Sequence, residues 1–191
     1  ERRRAWLLAS WKIVIDRLPQ LGEEIITETW PYDFKGFFGN RNFRMLDGEG
    51  KTLASADSVW IYLNVESGHP CRVDKDVLAA YEMEEALPLG AFSRKISVPE
   101  ESTEKDSFPV MRSHLDTNHH VNNGQYILMA EEYLPENFEV KQIRVEYRKA
   151  AVLHDIIVPF VHTEPQRCTV SLCGSDEKPF AVVEFSAEAL Q

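Results

Sequence analysis

HLDTNHHVNNGQYI, residues 114–127, gathers three of the chain's six histidines, three asparagines and an aspartate into one short window. The end of this window opens a helix expected over residues 121–134. Tyr126, Ile127, Ala130, Tyr133 and Leu134 fall at i, i+1, i+4, i+7 and i+8 and give it one apolar face. Pro135 ends it, because a proline cannot donate the next amide bond. Polar side chains bunched ahead of a helix suit chemistry, since the first helical amides have no intrahelical acceptor and carry the positive end of the dipole. They also suit plain structure. Asn122 and Asn123 read as helix caps as readily as anything else, and His114 and His119 as solvated or structural side chains.

Outward from this window the chain reads mostly as strand. Residues 6–17, 24–30, 39–46 and 52–63 alternate β-branched or aromatic residues with polar ones before the window. Residues 108–112 read as a short strand just ahead of it, and 141–149, 156–162, 167–173 and 179–187 repeat the texture after it. Asp47-Gly48-Glu49-Gly50 is a hairpin signal, with glycines able to take positive φ. A short helix capped by Asp74 is expected over 74–81. Residues 87–106 are polar, turn-rich and charged, as a linker is.

The halves resemble each other. At an offset of 131 residues, VIDRLPQLGEEII (14–26) matches VEYRKAAVLHDII (145–157) at Val14/Val145, Arg17/Arg148, Ile25/Ile156 and Ile26/Ile157. LDGEGKTLA (46–54) then faces LCGSDEKPFA (172–181) at an offset near 127. These matches indicate an internal duplication, with a first repeat at 1–86 carrying a trailing short helix, a linker at 87–106 and a second repeat at 107–191. Subtracting the offset puts the first repeat's counterpart of the motif helix before residue 1. That repeat therefore reads as truncated at its N-terminus, lacking its first strand and helix. The start, ERRRAWLLASWKI, has no initiator methionine and reads as interior or processed; Ser10 and Lys12 break its apolar part, so a signal peptide is not expected.

Composition narrows the function classes. The net charge is −10, which argues against non-specific binding to nucleic acid or anionic membranes. No apolar run reaches the roughly 18 residues that span a bilayer. Cys71, Cys168 and Cys173 are odd in number and form no CxxC, so a reducing, cytoplasmic compartment is expected and no metal site.

A strand, a loop rich in Asp, Asn and His, and a helix wrapped by antiparallel sheet describe a hot-dog fold. LDTNHHVNNGQYI closely resembles the signature of the acyl-acyl carrier protein (acyl-ACP) thioesterases, Asp-x-Asn-x-His-Val-Asn-Asn with a tyrosine on the helix. WPYDFKGFFGNRNF (30–43) resembles that family's first repeat. The resemblance implies an α+β double hot-dog that hydrolyses fatty acyl thioesters on ACP to free fatty acid, without metal or cofactor. It implies Asp116, Asn118 and His120 as catalytic residues. An imidazole ordinarily titrates near pH 6.5 and can take a proton from water. A carboxamide can donate to a thioester carbonyl, and a carboxylate can orient its neighbours or act as base. The amides around Asn122 and Asn123 would stabilise an oxyanion. Plant members carry Glu-Cys after Glu-Tyr-Arg-Arg; this chain has EYRKAA, so Ala150 and Ala151 exclude a cysteine nucleophile there and give the chain a bacterial-like look.

Tyr126 and Met129 are candidates for core or acyl-pocket lining. ACP with its phosphopantetheine-linked acyl chain is the expected partner. Because ACP is acidic like this chain, a local basic patch is needed, for which Arg144, Arg148 and Lys149, or Arg2 to Arg4, Arg94 and Lys95, are candidates. An exposed sheet edge or the bare first repeat could drive association into an oligomer. Two alternatives stay open: hydrolysis of acyl-coenzyme A, and a non-catalytic acyl-thioester binding module.

Overall fold

The computed structural model describes residues 3–189. The chain divides between Arg94 and Lys95 into two units, a boundary inside the stretch read as a linker.

Unit 1 is an antiparallel sheet of β1 (Arg4–Ile15), β2 (Ile25–Lys35), β3 (Phe38–Asp47) and β4 (Thr52–Asn64), followed by the short helix α1 (Lys75–Ala79). Its strand order is β2-β3-β4-β1. The β3–β4 hairpin closes as the sequence signal requires. Gly50 takes φ +83°, and the Asp47 carboxylate accepts the amides of Glu49 (3.0 Å) and Lys51 (2.9 Å). Asp74 occupies the N-cap of α1 but makes no side-chain cap bond; its carboxylate pairs with Arg4 instead. Among the described residues, unit 1 has no helix ahead of β1 and none longer than α1.

The region 82–94 is held to unit 1 by polar groups of its sheet. Trp30 Nε1 donates to the Glu85 carbonyl (3.0 Å), Asn42 Oδ1 accepts the Leu87 amide (2.8 Å), and Lys12 Nζ donates to the Leu89 carbonyl (2.6 Å). Lys12 and Asn42 are both buried, at 3% and 1% exposure. A buried polar group needs a partner, and the strap of backbone supplies it.

Unit 2 contains β5 (Thr103–Glu104), β6 (Phe108–Pro109), a 3₁₀ turn (Arg112–His114), α2 (Asn123–Glu131), β7 (Gln142–Tyr147), β8 (Ile156–Glu164), β9 (Arg167–Cys173) and β10 (Pro179–Ser186). The order is β7-β10-β9-β8-β5, with β6 also on β8. Leaving aside β5 and β6, both units arrange their four main strands alike: second, third, fourth, first. The matched residues Val14/Val145 lie in β1 and β7, and Ile25/Ile156 open β2 and β8.

Cross-strand register puts Tyr147, Ala181 and Leu172 on one sheet face with Val145, Val183 and Val170. That face meets α2: the Tyr126 and Tyr147 rings are 5.9 Å apart, and Cys168 Sγ lies 3.8 Å from the Tyr133 carbonyl. The opposite face carries Glu146, Val182, Glu184 and Ser171. The region 95–104 is bound there: Glu146 accepts the Ile96 amide (2.9 Å), and Arg144 and Arg148 donate to the Lys95 (3.3 Å) and Ile96 (3.2 Å) carbonyls.

Three expected elements change length: the helix expected over 74–81 spans only Lys75–Ala79, and two more lie around the motif. The strand expected over 108–112 ends at Pro109, and the chain then turns through Arg112–His114. The helix expected over 121–134 spans only Asn123–Glu131. At its start Val121 is drawn into a bridge with Leu115, and at its end residues 132–134 form a turn ahead of Pro135. No described helix is long and apolar enough to cross a membrane.

Candidate active site

The motif loop folds on its own aspartate. Asp116 N–H donates to the His120 carbonyl (2.8 Å), and its carbonyl accepts the His119 amide (3.1 Å). Its carboxylate Oδ1 accepts the amides of Asn118 (2.8 Å) and His120 (3.3 Å), and Oδ2 faces the Asn118 side-chain amide at 3.4 Å. To close a loop this tight, His119 adopts the left-handed region, φ +62°. His114, read from the sequence as solvated or structural, closes the base: its carbonyl accepts the Asn122 amide (2.9 Å), and its Nδ1 accepts the Met111 amide (3.1 Å).

The loop leads into α2. Asn122 is the N-cap, its Oδ1 accepting the Gly124 amide at 2.9 Å, as the capping reading of this residue requires. The Gln125 amide goes to the Asn122 carbonyl, and Asn122's own amide is spent on His114. Among the described residues the Asn123 N–H has no acceptor, as is usual for the first amide of a helix. The Tyr147 hydroxyl donates to the Asn123 carbonyl (3.0 Å) and steadies that first turn.

The loop's hydrogen bonds shift its carboxylate. Partial burial pushes the Asp116 carboxyl upward. The amides of Asn118 and His120, the Asn118 side chain and the nearby His120 ring together outweigh it, so the group sits below the ordinary carboxylate range. Such a carboxylate is a weak base near neutral pH and a good organiser. The His120 side chain is exposed and makes no hydrogen bond among the described residues. Asp116 therefore orients Asn118 and the backbone of His120, not the His120 ring.

The other expected site residues fall elsewhere. Tyr126 and Met129 are core side chains, 2% and 8% exposed, and the Tyr126 hydroxyl accepts the Ala151 amide at 2.9 Å. Arg144 is ion-paired to Glu184 (2.9 Å) and Arg148 to Glu146 (2.9 Å), so both charges are compensated inside unit 2. Lys149 is exposed, with its ammonium 5.5 Å from the Phe180 ring centre. Of the other basic candidates, Arg2 lies outside the described residues. Arg3 and Arg4 pair with Glu66 and Asp74, and the Arg94 guanidinium stands 4.8 Å from the Phe38 ring centre.

The roles of Ala151, Tyr147 and the Tyr126 hydroxyl have no local signature in the sequence, because each joins residues 24 or 25 positions apart. Cys71, Cys168 and Cys173 are free thiols, and burial pushes Cys168 and Cys173 upward, away from the thiolate form. Among the described residues no group of three or more His, Cys, Asp or Glu is placed to hold a metal.

Unit 1 offers a different feature, a cavity of about 310 Å³ lined by Trp6, Phe34, Phe43, Trp60 and Tyr81, with Gly39 on its wall. Thr29, Asn40 and Arg41 also border it.

An antiparallel sheet packed on a helix, with a polar loop feeding the helix N-terminus, defines an α+β protein of the hot-dog class. Two domain models match: the acyl-ACP thioesterase N-terminal domain over residues 1–81 and the acyl-ACP thioesterase C-terminal domain over 97–176. The chain belongs to the acyl-ACP thioesterase family. It is 26% identical over 155 residues to a chloroplastic palmitoyl-acyl carrier protein thioesterase of Arabidopsis thaliana, covering 75% of this chain and 38% of that protein. It is 27% identical over 188 residues to the oleoyl-acyl carrier protein thioesterase 2 of the same plant, covering 90% and 51%. It thus spans about half, or less, of these relatives' length. In fold it is similar to an acyl-ACP thioesterase from Bacteroides thetaiotaomicron (TM-score 0.87, 21% identity, 96% of this chain and 76% of that one). The 12:0-ACP thioesterase from Umbellularia californica gives 0.84 at 16% identity, over 97% and 75%.

Proposed function

We propose that this protein hydrolyses fatty acyl thioesters carried by ACP, releasing free fatty acid and the carrier's thiol. The observation that carries this reading is the loop in which Asp116 gathers the Asn118 and His120 amides and leads directly into the N-terminus of α2. Family membership supports the substrate class. His120 removes a proton from water as the water oxygen attacks the thioester carbonyl carbon. The negative charge formed on the carbonyl oxygen is met by the Asn123 N–H and the Asn118 carboxamide. Collapse of the tetrahedral intermediate breaks the carbon–sulfur bond, and the imidazolium returns its proton to the departing sulfur. Asp116 stays ionised throughout and holds the loop. With Ala150 and Ala151 in place of a Glu-Cys pair, no cysteine of this chain is called on.

Arg112 and Lys149 are exposed cations on segments bonded to the loop, and they suit an acidic carrier and its phosphate better than the paired Arg144 and Arg148. The free thiols are in keeping with a reducing compartment, and we place the protein in the cytoplasm. The test is thiol release from matched acyl-ACP and acyl-coenzyme A substrates. Carrier-dependent turnover is expected. Faster turnover of the coenzyme A ester would replace the carrier reading, and acyl binding without turnover would reduce the protein to a binding module.

A further inference from the structure

The buried hydroxyl of Tyr126 is not used by the mechanism above, yet it reaches the reacting loop through a short series of backbone contacts. Tyr126 sits on α2, at 2% exposure, with its hydroxyl on the Ala151 amide at 2.9 Å. Ala151 is fully buried, and its carbonyl accepts the Val121 amide at 2.9 Å. The next residue, Val152, forms an antiparallel bridge with His120 and is pinned by its own amide to the Asp155 carboxylate (2.9 Å). Residues 120–121 are thus zipped to 151–152, and the outer side of that zipper is held at Ala151 by the Tyr126 phenol and at Val152 by Asp155. Removing the hydroxyl orphans a buried amide, which water cannot readily satisfy.

We infer that Tyr126 is a positioning residue: its hydroxyl holds residues 151–152, and through them fixes where His120 presents its ring. The inference rests on the thioesterase reading for its consequence, but not for its geometry. It also gives Ala151 a purpose, since this position supplies both an amide to the phenol and a carbonyl to the loop.

Two readouts on Tyr126→Phe test it. The substitution keeps the ring and its packing, so the fold survives. Amide hydrogen exchange at Val121 and Ala151 should quicken about tenfold while β9 and β10 keep their protection. Turnover should fall about ten- to a hundredfold in kcat with KM changed less than about twofold, as expected when a reacting group is slightly misplaced. Val182→Ala, a fully buried site on the sheet face opposite α2, serves as the control. It should lower Tm comparably yet leave kcat within about twofold. Unchanged exchange at Val121 and Ala151 would overturn the inference whatever the activity. Quickened exchange with wild-type kcat would equally overturn it. Quickened exchange in a protein whose wild type turns over no thioester would sustain the strut and overturn the thioesterase reading.

Discussion

The two units lay down four main strands in the same order, yet they differ in what rests on them. In unit 1 the sheet carries aromatic rings around a cavity, and the one helix among the described residues is the five-residue α1. In unit 2 the sheet carries α2, and the polar loop ahead of α2 gathers Asn118 and His120 around Asp116. Both units use buried or half-buried polar residues to bind a passing stretch of backbone: Lys12 and Asn42 in one, Glu146 and Arg144 in the other. The shared strand order is thus a common frame, and the units differ in the elements that pack on it.

The largest stability effect should come from the polar network of unit 2. Glu184 is 7% exposed and is shared by Arg144 at 2.9 Å and Arg167 at 3.8 Å. Glu184→Ala removes the carboxylate that faces a partly buried guanidinium and should cost about 3 kcal/mol in denaturant unfolding. A loss below about 1 kcal/mol would mean that the pair is dispensable and that the two straps are not held alike.

A smaller effect is expected in unit 1. A Cβ on Gly39 would meet the Trp6 ring at 2.9 Å and the Phe34 ring at 3.0 Å. Both rings border the cavity, so they have room to yield, and Gly39→Ala should cost about 1–2 kcal/mol. Hydrogen exchange should locate that loss in β1 to β4 and leave the Asp116 loop protected. Equal loss of protection in the loop would show that the units do not divide stability from chemistry.

The smallest effect is on pH. The Asp116 carboxyl lies below its ordinary value, so its contribution is fully present above the unfolded value of about 3.9 and is lost as pH falls through the lower folded value. Exchange of the Asn118 and His120 amides, corrected for intrinsic rates, should be flat above about pH 5 and quicken only below about pH 4. Asp116→Asn should remove that pH dependence.

Much of this was legible from the sequence. Period-2 alternation located the eight long strands, and glycine chemistry located the β3–β4 hairpin. The Asp-Asn-His window pointed to the loop, because an aspartate two residues before an asparagine is a local turn former. The shortened α2 was not legible: Val121 has the right residue type for the helix, but a bridge to Leu115 takes it. Residues 108–112 looked like a strand until the chain turned at Arg112. Arg144 and Arg148 read as surface charges, with no sign of their acidic partners, which lie 40 residues away in one case and two residues back, near the end of β7, in the other. The Tyr126 strut joins residues 25 apart and is visible only once the backbone is closed.

The most direct test of the central claim is the turnover of acyl-ACP by His120→Ala, with circular dichroism and thermal unfolding to verify the fold. If His120 is the general base, kcat falls at least about a hundredfold, within the range a positioned acid–base group supplies, while the protein remains folded. A folded His120→Ala that keeps wild-type kcat would contradict that role.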